Sequence, residues 1–328
     1  MKFGLAVCHE VNRFPEMHEQ AKAAEALGYD SVWLPEHHLM EGYAPSPLLG
    51  LASVAAITER VKLGTALALV PFYSPVRLAE DAAVLADMSG DRFILGAGLG
   101  YREEEFAAFG VPYKQRGRRM HETLAAVRQL LHSESVTFSG KFVQLEDVTI
   151  YPRPARDVPI YVGGWSVPAF RRAAELGDAW FPGPTADLDK LRSCLRAYDE
   201  ALSEYGKSRT GLPIFREVWV ADSPKALAAG VDPLRELYMA DYLTWEHGNV
   251  SAGDSEDPFD DLRRDRFIVG SPSEVAEEIL RYHSELGMTH LIARMHFRGS
   301  DHREVLRSVE LFANTVIPEV QAQIAGEA

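Results

Sequence analysis

The chain has 328 residues, of which 46% are hydrophobic and 25% are charged, and its formal net charge is −14. These proportions are typical of a globular protein and exclude disordered and fibrous classes. The excess of 48 acidic over 34 basic residues argues against a nucleic-acid or anionic-membrane partner. No apolar run reaches the length of a membrane span, and the first strand begins at Lys2, so we expect a cytoplasmic protein.

In chain order, apolar runs of strand length alternate with helical patterns, as expected for parallel strands covered by helices. The predicted strands are Lys2 to Cys8, Ser31 to Leu34, Val61 to Val70, Phe93 to Gly100, Pro159 to Gly164, Ala179 to Pro182, Pro213 to Ala221 and His290 to Phe297. The main predicted helices are Pro15 to Leu27, Leu48 to Glu59, Pro75 to Ser89, Gln115 to His132, Val167 to Leu176, Leu188 to Tyr205, Ser273 to Leu286 and His302 to Ala313.

Two segments interrupt this alternation. Residues 136–150 predict a β-hairpin that turns at Ser139 and Gly140, and residues 224–266 predict an acidic excursion after strand seven that covers the rim as a lid. Eight strands in alternation with helices predict a (β/α)8 TIM barrel that forms a single domain over residues 1–328. A doubly wound dinucleotide fold is disfavoured because the first strand-to-helix turn, CHEVNRFP, contains no glycine.

The stretch SVWLPEHHLM places Glu36, His37 and His38 where the second strand ends, on the rim that carries the chemistry of such barrels. These side chains could be metal ligands, a catalytic base or polar contacts of a loop. Neighbouring residues of an extended segment point in opposite directions, so we expect one imidazole to face the lumen and the other to be structural. Cys8, His9 and Glu10 do not supply the HxH pair of metal-dependent barrels, so no metal site is predicted.

Two groups of glycines stand at strand ends. Gly96, Gly98 and Gly100 lie within and just after strand four, where glycine lets a flat ligand approach the backbone. Gly163 and Gly164 precede Ser166 at the start of a helix, an arrangement that suits an anion and equally suits an ordinary helix N-cap.

A set of motifs resembles the bacterial luciferase-like flavin-dependent monooxygenases. It comprises EHH, the run from VKLGTALALV to GAGLGYREEEFAAFG, the later YVGGWS, and FIVGSPSEVAEEI. The resemblance covers Lys2 to Pro318 and implies a barrel that holds a reduced flavin, usually FMN delivered by a separate NAD(P)H-dependent flavin reductase.

The resemblance also implies roles for individual residues. His37 is expected beside the isoalloxazine, supporting a flavin 4a-hydroperoxide, with Glu36 orienting it. A non-prolyl cis peptide is expected between Ala66 and Leu67. The cofactor-binding residues implied in this way are Ala66, Leu67, Gly98, Gly163, Gly164, Trp165 and Ser166.

One position departs from the family pattern. Luciferase carries a phosphate-binding arginine where this chain has Leu99, so the phosphate needs other donors. The GGWS loop together with Arg102 or Arg171 is the predicted source. Because of this departure, a deazaflavin coenzyme, which some family members use for hydride transfer, is the alternative cofactor.

The sequence therefore predicts a monooxygenase that uses reduced FMN and dioxygen to oxidise a small organic substrate such as an aldehyde or ketone. The alternatives are a deazaflavin-dependent dehydrogenase or reductase and a non-catalytic flavin-binding protein. The resemblance implies a homodimer through residues 48–59 and 75–89, which are rich in alanine. Substrate choice is assigned to residues 39–47 and to Tyr238, Tyr242, Trp245 and His247.

Overall fold

A computed structural model of the chain describes residues 1–242, 258–263 and 265–327. Its main sheet is parallel, with the strand order β11-β10-β12-β1-β2-β3-β5-β8-β9, and β4 pairs with β5 beside β3. The strands of this sheet are β1 (Lys2–Ala6), β2 (Ser31–Leu34), β3 (Lys62–Thr65), β4 (Ala68–Leu69), β5 (Phe93–Gly98), β8 (Ile160–Val162), β9 (Ala179–Trp180), β10 (Pro213–Val220), β11 (Ile268–Gly270) and β12 (His290–Arg294).

Helices cover the outer face of this sheet, and β6 (Val136–Ser139) and β7 (Gln144–Val148) form the predicted antiparallel hairpin. The helices are α1 (Phe14–Ala26), α2 (Pro47–Ala55), α3 (Pro75–Ser89), α4 (Glu103–Ala108), α5 (Arg116–His132), α6 (Val167–Leu176), α7 (Leu188–Glu204), α8 (Pro224–Leu237), α9 (Pro258–Arg263), α10 (Pro272–Leu286), α11 (His302–Leu311) and α12 (Ile317–Glu327). Among the described helices, none is both long and apolar enough to cross a bilayer.

The sheet curls, so that its inner face encloses an apolar cluster of Ala6, Trp33, Ile94, Phe181, Phe215 and Ile292. The rings of Phe181 and Phe215, which belong to opposite ends of the strand order, lie 6.3 Å apart. The amide of Phe215 also donates to the carbonyl of Pro182 at 3.4 Å. The prediction of a barrel-like parallel α/β fold is therefore confirmed, and the carboxyl ends of the strands meet at one rim.

The third predicted strand is wrong in one detail. Residues 61–70 form β3 and β4 rather than one continuous strand, and the break lies at the cis peptide between Ala66 and Leu67. The helix predicted from Leu48 to Glu59 ends earlier, at Ala55. Arg92 is buried below its end and donates to the carbonyls of Ala55, Thr58 and Val61, so these carbonyls need no further helical turn.

The predicted excursion over residues 224–266 contains ordered elements that the sequence did not reveal. It begins with α8, continues as a π-helical turn over Tyr238–Tyr242, and is followed later by α9 and β11. A Cβ on Gly230, inside α8, would lie 2.0 Å from the Trp219 ring, so glycine lets α8 pack on β10. Trp245, His247 and the side chain of Tyr242 lie outside the described residues.

Candidate active site

A cavity of about 310 Å³ opens at the rim where the parallel strands end. This is the end at which barrels of this type carry their active sites. Ser166 does not line the cavity, although it lies next to a residue that does. The predicted site residues that line it are Glu36, His37, Ala66, Leu67, Gly98, Gly163, Gly164 and Trp165.

One wall of the cavity is shaped by the backbone of β4, β5 and β8. The Ala66–Leu67 peptide is cis, as the resemblance implies. A Cβ on Gly163 would lie 2.2 Å from Leu67 Cδ1, and a Cβ on Gly98 would lie 2.9 Å from Leu67 Cβ. These glycines therefore make room for Leu67, which is half-buried against the cavity. The result is a flat apolar wall, which we call the backbone wall.

His37 follows β2 on the opposite side and is held by Glu105 from α4. Its Nδ1 lies 3.9 Å from Glu105 Oε1, which is ion-pair distance. Glu105 is 1% exposed and also accepts the backbone amide of His38 at 2.9 Å. Burial raises the pKa of Glu105. The contacts with His37 and with the His38 amide lower it by a larger amount, so this pKa lies below its ordinary value. Glu105 is therefore a buried carboxylate within ion-pair distance of the His37 ring.

Glu36 does not orient His37, contrary to the sequence prediction. Its Oε1 accepts from Nε2 of His38 at 2.6 Å, and its Oε2 accepts from the Leu69 amide and the Tyr73 hydroxyl, each at 2.9 Å. The reason is the alternation along an extended segment, which puts residues 36 and 38 on one side and residue 37 on the other. The structural role predicted for His38 is consistent with this contact. Glu36 ties the β2 rim to β4.

The loop over residues 39–47 is attached to the segment that follows β1. The amide of Ala44 donates to the carbonyl of His9 at 2.7 Å, and Tyr43 forms an isolated antiparallel bridge with Glu10. Tyr43 is buried, and its ring lies 5.4 Å from the His37 ring in an edge contact. The loop thereby brings an aromatic side chain to His37, and its backbone is fixed at the rim.

The second corner of the cavity lies at the start of α6. Gly164 has a φ of +136°, and a Cβ there would meet Ala169 Cβ at 2.5 Å, so the turn into the helix requires glycine. Ser166 is the N-cap residue of α6, but its hydroxyl does not cap the helix. Gly164 and Trp165 line the cavity immediately before this helix start, and the N-terminus of a helix is a position that suits an anion. We call this corner the anion corner.

Arg116 supplies the cation of the anion corner, and the sequence analysis did not identify it. It lines the cavity at the start of α5, and Arg172, in the middle of α6, donates to the neighbouring carbonyl of Gly117 at 3.0 Å, which joins the two helices. The Arg116 guanidinium stacks on Tyr113, with Cζ 3.6 Å from the ring centroid. Within the described part of the chain, its buried Nε has no hydrogen-bond partner. Because Arg116 also lines the cavity, its unused donor and its charge are available to an anionic ligand.

The two arginines predicted as phosphate donors are engaged elsewhere, which corrects that prediction. Arg171 lies on the exposed face of α6 and forms two hydrogen bonds with Glu204, at 2.9 and 3.0 Å. Arg102 donates to the carbonyl of His38 at 3.0 Å and lies 3.4 Å from Glu105. Arg102 therefore supports the loop that carries His37, and Arg171 contributes nothing to the cavity.

A second arginine, Arg294 at the end of β12, lines the side of the cavity opposite the anion corner. Its Nε donates to Glu217 Oε2 at 2.6 Å, and its NH2 group is also paired with Glu217. The hydroxyl of Tyr238 donates to the same carboxylate at 3.0 Å. Tyr238 was predicted to contact substrate, but it is fully buried beneath the rim, where it helps to hold this ion pair.

Behind His37, three potential metal ligands lie close together at the ends of β1 and β12. The ligand atoms of Cys8, Glu10 and His296 are within 4.8 Å of one another. His296 Nε2 is 2.7 Å from Glu10 Oε1, and Arg13 donates to the same oxygen at 3.1 Å. Burial raises the pKa of Cys8 to about 12, so its thiol stays protonated. The cluster is thus satisfied by its own hydrogen bonds.

The geometry is that of a known family. The luciferase-like monooxygenase family matches residues 1–290. The chain belongs to this family. Its backbone wall, its histidine beside an aromatic rim and its anion corner with a buried unused donor fit a planar flavin or deazaflavin that carries a phosphate. Gly98, Gly163 and Leu67 would hold the ring, and Arg116 with the start of α6 would hold the phosphate.

Curated relatives within the luciferase-like family extend over the full chain. An F420-dependent glucose-6-phosphate dehydrogenase from Intrasporangium calvum is 32% identical over 92% of this chain and 94% of its own. A protein of the same name from Microbacterium testaceum is 29% identical and covers 99% of both chains. This chain is therefore similar, along its entire length, to enzymes named for the deazaflavin coenzyme F420.

Solved structures of the luciferase-like fold include both kinds of cofactor chemistry. The monooxygenase RslO1 from Streptomyces bottropensis superposes with a TM-score of 0.87 at 25% identity, covering 97% of this chain and 99% of that one. An F420-dependent secondary alcohol dehydrogenase in complex with an F420-acetone adduct gives 0.79 at 21% identity, with 97% and 98% covered. The FMN complex of 3,6-diketocamphane monooxygenase from Pseudomonas putida gives 0.80 at 22%, with 98% of both chains covered. Similarity at these two lower identities shows the fold alone.

Proposed function

We propose that this protein is an F420-dependent oxidoreductase that transfers hydride between the deazaflavin coenzyme and a small organic alcohol or carbonyl compound. The observation that carries this proposal is the full-length similarity to relatives named as F420-dependent dehydrogenases. The alternative in the sequence analysis is thus better supported than its main reading, an FMN monooxygenase, which rests on similarity at the level of the fold. We also propose that the parallel sheet closes into an eight-stranded barrel.

When bound, F420 would supply the acceptor for the two electrons and one hydrogen that leave the carbinol carbon as hydride. His37 takes the hydroxyl proton in the direction of alcohol oxidation. Its Nδ1 faces Glu105, so we assign the proton transfer to Nε2. Glu105, as a buried carboxylate, stabilises the imidazolium that forms. The backbone wall and Tyr43 keep water away from the reacting atoms.

An FMN-dependent monooxygenase is the second candidate. It is favoured by the TM-score of 0.87 to the monooxygenase RslO1. In this case dioxygen is a co-substrate, and a separate NAD(P)H-dependent flavin reductase is a required partner. His37 would then act as a hydrogen-bond donor rather than as a base for an alcohol.

Cofactor binding separates the two candidates. Purified protein is titrated with F420 and, anaerobically, with reduced FMN, and fluorescence reports the two dissociation constants. We expect F420 to bind at least about tenfold more tightly, because the relatives that match this chain over its full length are named for that coenzyme. Weak F420 binding, combined with substrate-dependent oxygen consumption in the presence of reduced FMN, would falsify the proposal.

We also propose a homodimer through α2 and α3. Most alanines predicted for its interface pack into the protein's own core, including Ala79, Ala82, Ala83 and Ala86. The apolar residues that these helices expose are Leu49, at 74%, and Val84 and Met88. Light scattering should give twice the mass of the 36.4 kDa chain, and Leu49→Glu should reduce it to that of one chain.

A further inference from the structure

The charges on the walls of the cavity restrict what substrates it can accept. A phosphate ester brings about two negative charges, and burial of such a group requires cations and donors that the protein has not already used. Among the residues that the structure describes, the lysines and arginines that line the cavity are Arg116 and Arg294. The question of substrate class therefore depends on whether either of these remains available after the cofactor binds.

Arg116 belongs to the cofactor. It lines the same cavity as Gly164 and Trp165, and the hydrogen bond from Arg172 to Gly117 joins its helix α5 to α6. Its buried Nε is the donor that the cofactor phosphate would take. A cofactor phosphate held there would compensate this cation, which would then be unavailable to a substrate.

Arg294 lies near the substrate, but its charge is cancelled by Glu217. Both side chains are buried, at 5% and 0% exposure, and the guanidinium is paired through Nε and through NH2. A phosphate placed against Arg294 would also stand near the Glu217 carboxylate, which Tyr238 holds in place. In a buried site this repulsion opposes the attraction to the guanidinium.

The other described residues of the walls add no lysine or arginine. Glu36 contributes a carboxylate to the lining, while Phe181, Phe215 and Leu99 are apolar. The described walls on the Arg294 side therefore bring no uncompensated cation to a substrate.

We propose that the site accepts an uncharged alcohol or carbonyl compound and rejects phosphate esters. This inference rests on the proposed F420-dependent function and names its substrate class. The oxidised substrate loses a hydride to F420 and a proton to His37, so no phosphate is needed for the chemistry. The specificity of this chain thus differs from the one that the names of its glucose-6-phosphate dehydrogenase relatives give.

Matched ligand pairs test the inference on F420-saturated protein, in which the anion corner is occupied. Calorimetry compares glucose with glucose 6-phosphate and glycerol with glycerol 3-phosphate. We expect the phosphorylated member of each pair to bind no more tightly than the neutral one. We also expect inorganic phosphate not to displace the neutral ligand. Binding of either ester at least about tenfold more tightly than its neutral partner would overturn the proposal.

The same pairs are measured with reduced FMN if F420 does not bind. Failure of F420 to bind contradicts the proposed function, whereas the ratio within each pair reports on the charge of the substrate side alone. The two failures are therefore distinguishable.

The Glu217→Gln variant tests the cause. It removes the negative partner of Arg294, so inorganic phosphate should bind the F420-loaded variant at least about tenfold more tightly than it binds the unaltered protein. Adding Arg294→Met should abolish this gain. A folded Glu217→Gln variant with no gain in phosphate affinity would show that the ion pair does not exclude phosphate. If the variant does not fold, the comparison of neutral and phosphorylated ligands on the unaltered protein decides whether phosphate esters are rejected.

Discussion

The two ends of the barrel-like sheet bury polar side chains in opposite ways. At the amino end of the strands, His290 Nε2 is 2.9 Å from the Ser31 hydroxyl, which also accepts from the Trp33 indole at 2.7 Å. We call these three side chains the plug. Gly4 leaves room for the plug, since a Cβ there would lie 2.4 Å from the Ser31 oxygen. At the carboxyl end, Arg116 keeps a buried donor that no described residue uses.

This difference separates stability from function within one sheet. The polar groups of the plug hydrogen-bond to one another and keep no capacity for a ligand. They can therefore affect only the stability of the fold. Polar groups of the rim keep capacity for a ligand, and the protein forgoes some stability there. Changes at the rim should therefore alter catalysis and binding with little effect on unfolding, and changes at the plug should do the reverse.

His37→Ala should give the largest effect and is the strictest test of this separation. We expect kcat for F420 reduction to fall about a thousandfold because the base is removed. The dissociation constant of F420 and the unfolding temperature should change little. Turnover that stays near that of the unaltered protein would remove His37 from the reaction.

Arg116→Met should weaken F420 binding by about thirtyfold or more, because a charge-assisted hydrogen bond to phosphate contributes about 2 kcal/mol. Fluorescence titration measures the effect. Arg118→Met is the matched control, since Arg118 lies on the same helix, is exposed and does not line the cavity. Equal losses in both variants would mean that only the net charge of the protein matters.

Acid should destabilise the plug. Burial lowers the pKa of His290 to about 3, with Lys2 adding to the effect, whereas the unfolded chain titrates near 6.5. The unfolded state therefore binds a proton first, and stability is lost as the pH falls from about 6.5 toward about 3. By pH 5 this residue alone should lower the free energy of unfolding by about 2 kcal/mol.

Denaturant titrations at pH 7.5 and pH 5 measure this change. In His290→Gln the part of it that comes from residue 290 should disappear, while F420 reduction at pH 7.5 continues. His9 adds to the acid loss in both proteins, because burial also lowers its pKa well below the ordinary value. An unchanged pH dependence in the variant would contradict the role assigned to the plug.

Glu105→Gln should have the smallest effect among these changes, about tenfold in kcat. Without the carboxylate, the imidazolium that His37 forms during the reaction loses its partner, and steady-state kinetics measure the loss in kcat. F420 affinity should not change. Glu104→Gln is the control, because Glu104 is exposed on the same helix, and a loss of equal size in that variant would exclude a specific contact.

The strand pattern was sufficient to predict the fold and the rim. Continuous apolar runs located the barrel strands, and the resemblance located the cis peptide between Ala66 and Leu67, which the structure contains. Alternation along the EHH segment separated His37 from His38. The same alternation implies that Glu36 accompanies His38, a consequence that the sequence analysis did not draw.

Glu105 and Arg116 could not be assigned from spacing in the same way. Glu105 stands in a run of three glutamates, and only the packing of α4 against the rim selects the third one for burial. Arg116 left a weaker signal, because a cation in the first turn of a helix is unfavourable for the helix dipole unless a ligand compensates it. Helix α8 was missed because the acidic and glycine-containing stretch that follows it led the whole of residues 224–266 to be interpreted as one excursion.

The attachment of Tyr43 and Ala44 to the segment after β1 has a kinetic consequence. A rim loop that is already hydrogen-bonded loses little conformational freedom when a ligand arrives, because its ordering took place during folding. Association on this side should therefore proceed without a gating step, and Tyr43 is ready at His37 before any encounter. The part of the rim at β1 and β2 is therefore already in place when a ligand enters from the other sides of the cavity.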